Sequence, residues 1–499
     1  MGVIKRQSIK RSIVSYVGTL IGIISVIKIY PLDREVYGYI QWLIGVATFL
    51  FPFASLGVNA LVIRYFRDFN VDDKQQGYFG FLALWTIGAF LFFTLLAVPF
   101  SEELFSFLES LKMKPYFREN QLALLILCFL IIVIQLLIGY ISNFNRIVVP
   151  TLLSNFTLKI AIPTLVLLHI YIGLTFFQVK WLVIFIYVFI ASSLLIYLYL
   201  LGGFNLRFKF SVLNKARLQD MSSYAIYGIL GSIGSVIAFN IDIVMVAPLT
   251  DLESGGVYNI ALFIGNAIAI PYAAISGIAN PIVSKSWGEN DIEEISSLYS
   301  RSSKLLFTVG IFLFVLVWLS IDDIFKITGR YDELIIGINV VFFIGIARVI
   351  DMTAGVNHAI IAYSTSYRFN LIVVLTLAFS NVFITYALIP IYGISGAAMA
   401  TAISLFLSNL MKFVFIWIKF KMQPFDFTFL MVLLLAVIAF AVAYFLPSTS
   451  ISEVNIVLRS AVAGLLFGIP LLYFNLVPDI NEAIITVWST VKKYIIKSK

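Results

Sequence analysis

Fourteen apolar runs, each long enough to cross a bilayer as a helix, constrain this chain more than any other feature. They cover residues 12–30, 37–62, 78–99, 122–142, 147–171, 179–200, 222–247, 256–283, 304–321, 334–356, 369–389, 394–418, 427–446 and 455–477. A helix rises about 1.5 Å per residue, so roughly 20 apolar residues span a hydrocarbon core about 30 Å thick. Barrel strands would alternate polar and apolar positions over about 10 residues, and these runs do not. The chain is 61% hydrophobic and 12% charged, where a soluble domain carries about 25% charged residues. It reads as an all-α polytopic membrane protein.

Basic residues set the orientation. With the N-terminus inside, 23 of the 34 Lys and Arg fall on the inner side and 9 outside, while Lys159 and Arg348 lie within spans. That bias places both termini in the cytoplasm. An odd number of spans would put Lys492, Lys493, Lys497 and Lys499 outside, so fourteen spans are preferred to thirteen. The loops also account for the net charge of +8, so no nucleic acid is expected as a partner. The basic start resembles a signal peptide, but the apolar run continues to Tyr30 without a small-residue cleavage site. It reads as an uncleaved first span. Arg6 stands where a myristoylation motif after Gly2 requires Ser or Thr.

Nothing in the sequence suggests catalysis. The longest connections, 100–121, 201–221 and 284–303, are too short for a catalytic domain and suit surface loops and short amphipathic turns. Cys128 is the one cysteine, so no disulfide framework or cysteine metal site is expected. His169 and His358 lie far apart and read as helix-end or cavity residues. The phosphate-cradling, nucleophile-elbow and zinc-helix motifs are absent. The chain is expected to be no enzyme and to need no cofactor or metal.

Sliding the sequence against itself by 221 residues gives an ordered match. Val36-Tyr37 falls on Val257-Tyr258, Ser55 on Ser276, Asn59 on Asn280, Val62 on Val283 and Arg64 on Lys285. Asp72-Asp73 falls on Glu293-Glu294, and Ile170-Tyr171 on Ile391-Tyr392. The offset maps spans 1–6 onto spans 7–12. Six is even, so the two halves share an orientation, and the expected architecture is two six-helix bundles related by a pseudo-two-fold along the membrane normal. The expected domains are 1–221, 222–421 and a C-terminal helix pair with a basic cytoplasmic tail, 422–499.

Charges within or beside the spans are the candidate functional residues, because each is costly in hydrocarbon. Lys159 lies mid-span with no sequence neighbour to pair with, and Arg348 can grip a phosphate as a fork. Arg64 and Lys285 sit at inner span ends and Lys28 near an outer one, where snorkelling competes with a binding role. Lys159, Arg348, Arg64 and Lys285 thus form the candidate cationic lining of a cavity for an anionic head group. Asp242 and Asp351 are candidates for gating or ion coupling. Arg348 and Asp351 share a helix face at i, i+3, so mutual neutralisation is the plain alternative. Gly18 and Gly22, and the glycines Gly228, Gly231 and Gly234, permit close packing or bending.

Three stretches resemble one family, the bacterial polysaccharide flippases of the O-antigen transporter (Wzx-like) type. The residues are Ser55-Leu56-Gly57-Val58-Asn59-Ala60 followed by Arg64, then Asp242 followed by Gly256-x-Tyr258-x-x-Ala261, and finally Ile389-Pro390-Ile391-Tyr392-Gly393-Ile394-Ser395-Gly396-Ala397-Ala398. The family belongs with the multidrug/oligosaccharidyl-lipid/polysaccharide exporters. The resemblance implies export of an undecaprenyl-pyrophosphate-linked oligosaccharide across the bacterial cytoplasmic membrane, for O-antigen, lipopolysaccharide or another polysaccharide. It implies membrane lipid, H+ or Na+ and polysaccharide assembly proteins as partners. Fourteen spans fit this branch better than the related multidrug exporters, which usually have twelve. A cation-coupled multidrug or small-solute exporter is the alternative reading. A membrane-embedded glycan polymerase or ligase would need large outer loops, and the longest here spans about residues 100–121.

Overall fold

The computed structural model describes residues 17–69, 77–144, 146, 148–206, 215–482 and 485. The expected start of the first span, the Asp72-Asp73 pair and the C-terminal lysines lie outside the described residues. Among the described residues no strand occurs, thirteen helices are long and apolar enough to cross a membrane, and a shorter apolar helix precedes them. The protein is a multi-pass helical membrane protein with the expected fourteen apolar segments.

The helices follow in order: α1 Val17–Leu32, α2 Arg34–Ser55, α3 Val58–Arg64, α4 Tyr78–Ala97, α5 Ser101–Ser110, α6 Tyr116–Ser142, α7 Val148–Ile172 and α8 Phe176–Leu200. After these come α9 Lys215–Leu249, α10 Leu252–Glu289, α11 Ile292–Ile327, α12 Tyr331–Thr353 and α13 Asn357–Tyr363. Then follow α14 Arg368–Tyr392, α15 Ile394–Phe420, α16 Phe427–Tyr444 and α17 Ser452–Tyr473.

Local chemistry explains where they start and stop. Asp33, Asp291 and Asp426 accept hydrogen bonds from the first-turn N–H groups of α2, α11 and α16. Thr175 and Gln178 form a capping box at the start of α8. These side chains meet donors that no carbonyl within the helix can reach. Segment 284–303, expected as a surface connection, is instead helical apart from Asn290 and Asp291, so α10 and α11 run on past their apolar cores. Its charges sit at helical spacing, as in the Lys285–Glu289 pair at i, i+4. Segment 100–121 does hold a short amphipathic helix, α5, which buries Phe105 and is tied down by Arg118 donating to Glu102 at 2.8 Å.

By contacts the chain forms two compact units, Met1–Asn259 with Ile389–Ile394, and Ile260–Leu388 with Ser395–Lys499. In the first, α2 packs against α6 and α9 and buries Trp42 fully. The run 37–62 is not one helix, because Leu56 and Gly57 both take left-handed backbone at φ 42° and 73°. Leucine in that region costs about 1–2 kcal/mol. A Cβ on Gly57 would stand 2.5 Å from the Ala225 carbonyl oxygen, so glycine is required there twice over. Carbonyls near the break find side-chain donors: Trp85 Nε1 reaches Leu56 O at 3.3 Å, Tyr78 Oη reaches Leu61 O at 2.6 Å, and Asn143 Nδ2 reaches Val62 O at 3.2 Å. Broken helices persist at membrane depth only when protein groups replace the lost backbone bonds.

The second unit is built around α11, which packs on α10, α12, α16 and α17. Ala436, Ala439 and Ala443 of α16 join Val315 and Leu319 of α11 in one buried cluster, where small side chains allow close helix approach. Near the end of α11, buried Asp323 accepts from Asn455 Nδ2 at 3.2 Å and Arg459 Nη1 at 3.5 Å, both on α17. That ion pair ties α17 to α11.

Candidate functional site

Lys159 follows a π-helical turn, Leu152–Phe156, that widens α7 just before it. Such turns recur at functional sites because they re-aim side chains. The lysine is half-buried, and its stem lies over Gly18 of α1. Among the described residues, Lys159 makes no hydrogen bond or ion pair. A cation held this way draws toward any anion that enters its surroundings.

Asp242 is differently placed. It is 3% exposed and accepts a short hydrogen bond from the Tyr258 hydroxyl and another from Ile243 N–H at 3.0 Å. Around it α2, α9 and the first turns of α10 meet with almost no clearance. A Cβ on Gly38 would stand 1.9 Å from Leu252 O, and one on Gly256 would stand 2.0 Å from Arg34 O. Gly45 faces the Ile243 side chain at 2.7 Å in the same sense. Arg34 is ion-paired with Glu253, and His169 Nε2 lies 3.3 Å from Asp33 Oδ2. Tyr39 Oη donates to Asn120 Oδ1 at 2.7 Å, closing the same layer. Glycine backbones and reciprocal polar pairs thus lock these helix ends together.

Arg64 is exposed at the end of α3, with its guanidinium 5.9 Å from the Tyr224 ring centroid. Lys285 is 73% exposed and pairs with Glu289 at 3.6 Å. Both are exposed cations near helix ends, the position from which long basic side chains reach the interface.

In the second unit Arg348 and Asp351 do not pair with each other. Arg348 Nε donates to Asn266 Oδ1 at 2.7 Å, whereas Asp351 Oδ1 accepts from Asn409 Nδ2 at 3.1 Å. Asn409 Oδ1 in turn accepts from Asn357 Nδ2 at 3.3 Å and Lys412 Nζ at 3.4 Å. The network borders a cavity of about 280 Å³ lined by Asn357, Asn409, Thr353, Tyr299 and aromatic rings. Lys412 and Asn409 are the additions that sequence reasoning missed. Lys412 falls near the inner end of its run and counts naturally with the following loop. The helical spacing of Asn409, Lys412 and Phe413 was the available signal.

Lys159, Arg64 and Asp242 therefore belong to the first unit, and Arg348, Lys285 and Asp351 to the second. No group of three or more His, Cys, Asp or Glu side chains suited to a metal occurs among the described residues.

A family model for "Polysaccharide biosynthesis protein" matches residues 8–287, more than half of the chain. No curated protein matches the sequence. Among solved structures, the lipid II flippase MurJ in an inward closed conformation aligns with a TM-score of 0.68 at 15% identity, over 94% of this chain and 99% of that one. An inward-facing multidrug resistance MATE family transporter of the MOP superfamily aligns with a TM-score of 0.61 at 13% identity, over 81% of this chain and 94% of that one. Identities this low speak for the fold. The chain belongs to the polysaccharide biosynthesis protein family, built on the fold it shares with these two transporters.

Proposed function

We propose that the protein flips an undecaprenyl-pyrophosphate-linked oligosaccharide from the cytoplasmic to the outer face of the bacterial cytoplasmic membrane. The family is named for polysaccharide biosynthesis, and the structurally similar MurJ is named as a lipid II flippase. Lys159 carries the reading from this chain's own residues. It is a half-buried mid-span cation with no polar partner among the described residues, which suits a site whose anion arrives with the substrate. Arg348 is the second proposed diphosphate ligand, since its fork keeps N–H donors beyond the one given to Asn266. Arg64 and Lys285 draw the anionic donor toward the inner mouth.

Transport proceeds by alternating access, with bundles 1–221 and 222–421 as the moving bodies, both termini cytoplasmic and 422–499 accompanying the second. Asp242, clamped by Tyr258, gates the outer side, and Asp351 responds to the coupling ion, H+ or Na+. Conditional depletion followed by determining the membrane side of lipid-linked intermediates tests this directly. The reading requires precursor to accumulate on the inner face, and unchanged sidedness contradicts it. The second reading, a cation-coupled multidrug exporter, draws on the MATE likeness. It requires drug efflux that disappears in an Asp242→Asn variant.

A further inference from the structure

The stretch that joins α4 to α6 carries an apolar side left exposed among the described residues. On α4, Leu84, Ile87, Leu91 and Leu95 recur at intervals of three and four residues and are all exposed, so they form one flank. The helix is long and apolar enough to cross a membrane, and an exposed apolar flank on such a helix faces lipid. Exposure then continues through Leu96, Val98 and Phe100 toward α5.

Phe100, just before the first turn of α5, Leu104 and Phe107 stand at i, i+4 and i+7, within a stripe about 60° wide. Each is more than half exposed. Glu102 and Glu109 lie on the opposite side, where Arg118 of α6 donates to Glu102 at 2.8 Å and stands 3.8 Å from Glu109. The same guanidinium lies 6.0 Å from the ring centroid of buried Phe105. One arginine in the first turn of α6 thus meets α5 near both of its ends. Held this way, α5 runs beside the point where α6 enters its span and does not project into water.

We propose that α5 is an interfacial helix, with Phe100, Leu104 and Phe107 entering the acyl layer of the leaflet in which α4 ends. The occupant of the stripe is lipid and not a partner protein, because the stripe continues a flank of α4 that faces acyl chains. Arg118 pairs with two of the three carboxylates of α5, so the apolar side, not attraction to charged lipid, sets the depth. Beyond the helix, Lys114 N–H donates to Pro248 O at 2.9 Å. An α5 seated in lipid therefore also fixes the depth of the corner where α9 ends. The inference holds whichever cargo the protein carries.

Spin labelling of the full-length chain in phosphatidylcholine vesicles tests it. Cys128 is the one cysteine and is fully buried, so an introduced surface thiol is labelled without background. Leu104→Cys and Phe107→Cys place the label on the stripe, whereas Ser106→Cys and Glu109→Cys place it on the polar side. All four positions are exposed, so the substitutions leave the packing intact and each label is read by itself. Collision with O2, which concentrates among acyl chains, is compared with collision with a water-soluble nickel chelate, which is excluded from them. The ratio of O2 to nickel collisions is expected to be about tenfold higher at 104 and 107 than at 106 and 109. Equal ratios at the four positions place the stripe in water and overturn the proposal. Weak collision with both reagents at 104 and 107 means that protein covers the stripe, and overturns it equally.

Discussion

The Lys159 side chain lies across Gly18: a Cβ added to the glycine would stand 3.1 Å from Lys159 Cδ and 3.3 Å from its Nζ. The glycine therefore keeps open the space in which the lysine's charged end sits. Gly18→Val is expected to displace the ammonium and lower glycan translocation about tenfold at normal protein abundance, because a misplacement of about 1 Å in a binding group can cost that much or more. Gly18→Ala is expected to cost less, since a flexible side chain yields by a few tenths of an ångström. Equal export by the Gly18→Val variant would remove Lys159 from the site.

Gly256 and Gly38 give a stability prediction. The neighbouring atoms are backbone carbonyls, at 2.0 and 1.9 Å from an added Cβ, so neither can rotate away. Gly256→Ala must force α2 and α10 apart, at about 1–3 kcal/mol or more for overpacking. A clear drop in the melting temperature of the detergent-solubilised protein is expected. Gly288→Ala, where nothing lies within 4 Å of the added atom, serves as the matched control and should melt normally.

Arg459→Leu is expected to destabilise far more than Asp323→Asn. The arginine's removal leaves Asp323 buried with Asn455 as its remaining side-chain partner across the helices, and breaking a buried pair from one side costs about 3–5 kcal/mol. Asparagine at 323 keeps the shape and sheds the charge. The double variant should recover part of the loss, and denaturation of all three variants measures that coupling.

Asp426 supplies a pH dependence. Partial burial pushes its carboxyl up, but Lys304 Nζ at 2.8 Å and the Thr428 hydroxyl and N–H outweigh that and hold it below the ordinary carboxylate range. A lowered folded value means the stabilisation is complete above the unfolded carboxylate value of about 3.9 and fades as pH falls through the folded one. Asp426→Asn retains an N-cap for α16 while losing the charge. The wild-type advantage in melting temperature should be full at neutral pH, begin to shrink below about pH 4 and disappear in stronger acid.

The architecture was legible because the bilayer imposes one strong rule, that a spanning segment be apolar and satisfy its own backbone. Among the described residues thirteen long apolar helices and one shorter one follow it, with side chains replacing the backbone bonds lost at Leu56-Gly57. What hydropathy cannot register is a local change of backbone within an apolar run, so the break at Leu56-Gly57 was invisible except through the Ser55–Ala60 motif. Segment 284–303 looked like a connection because charge was weighed above spacing, although Lys285 and Glu289 already sat one turn apart. The six candidate charges were found by their cost in hydrocarbon. Their partners were not, because Tyr258, Asn266 and Asn409 lie 16, 82 and 58 residues away from the groups they bond. Spacing of i, i+3 pointed Arg348 and Asp351 at each other, and tertiary packing gave each a neutral amide instead.

The most direct measurement is the membrane side of the lipid-linked oligosaccharide in cells whose copy carries Lys159→Ala and Arg348→Ala together. The expected result is precursor trapped on the inner face, with the altered protein present at normal abundance and melting within a few degrees of the unaltered one. Export at the unaltered rate from that double variant would contradict a diphosphate site built on these two cations.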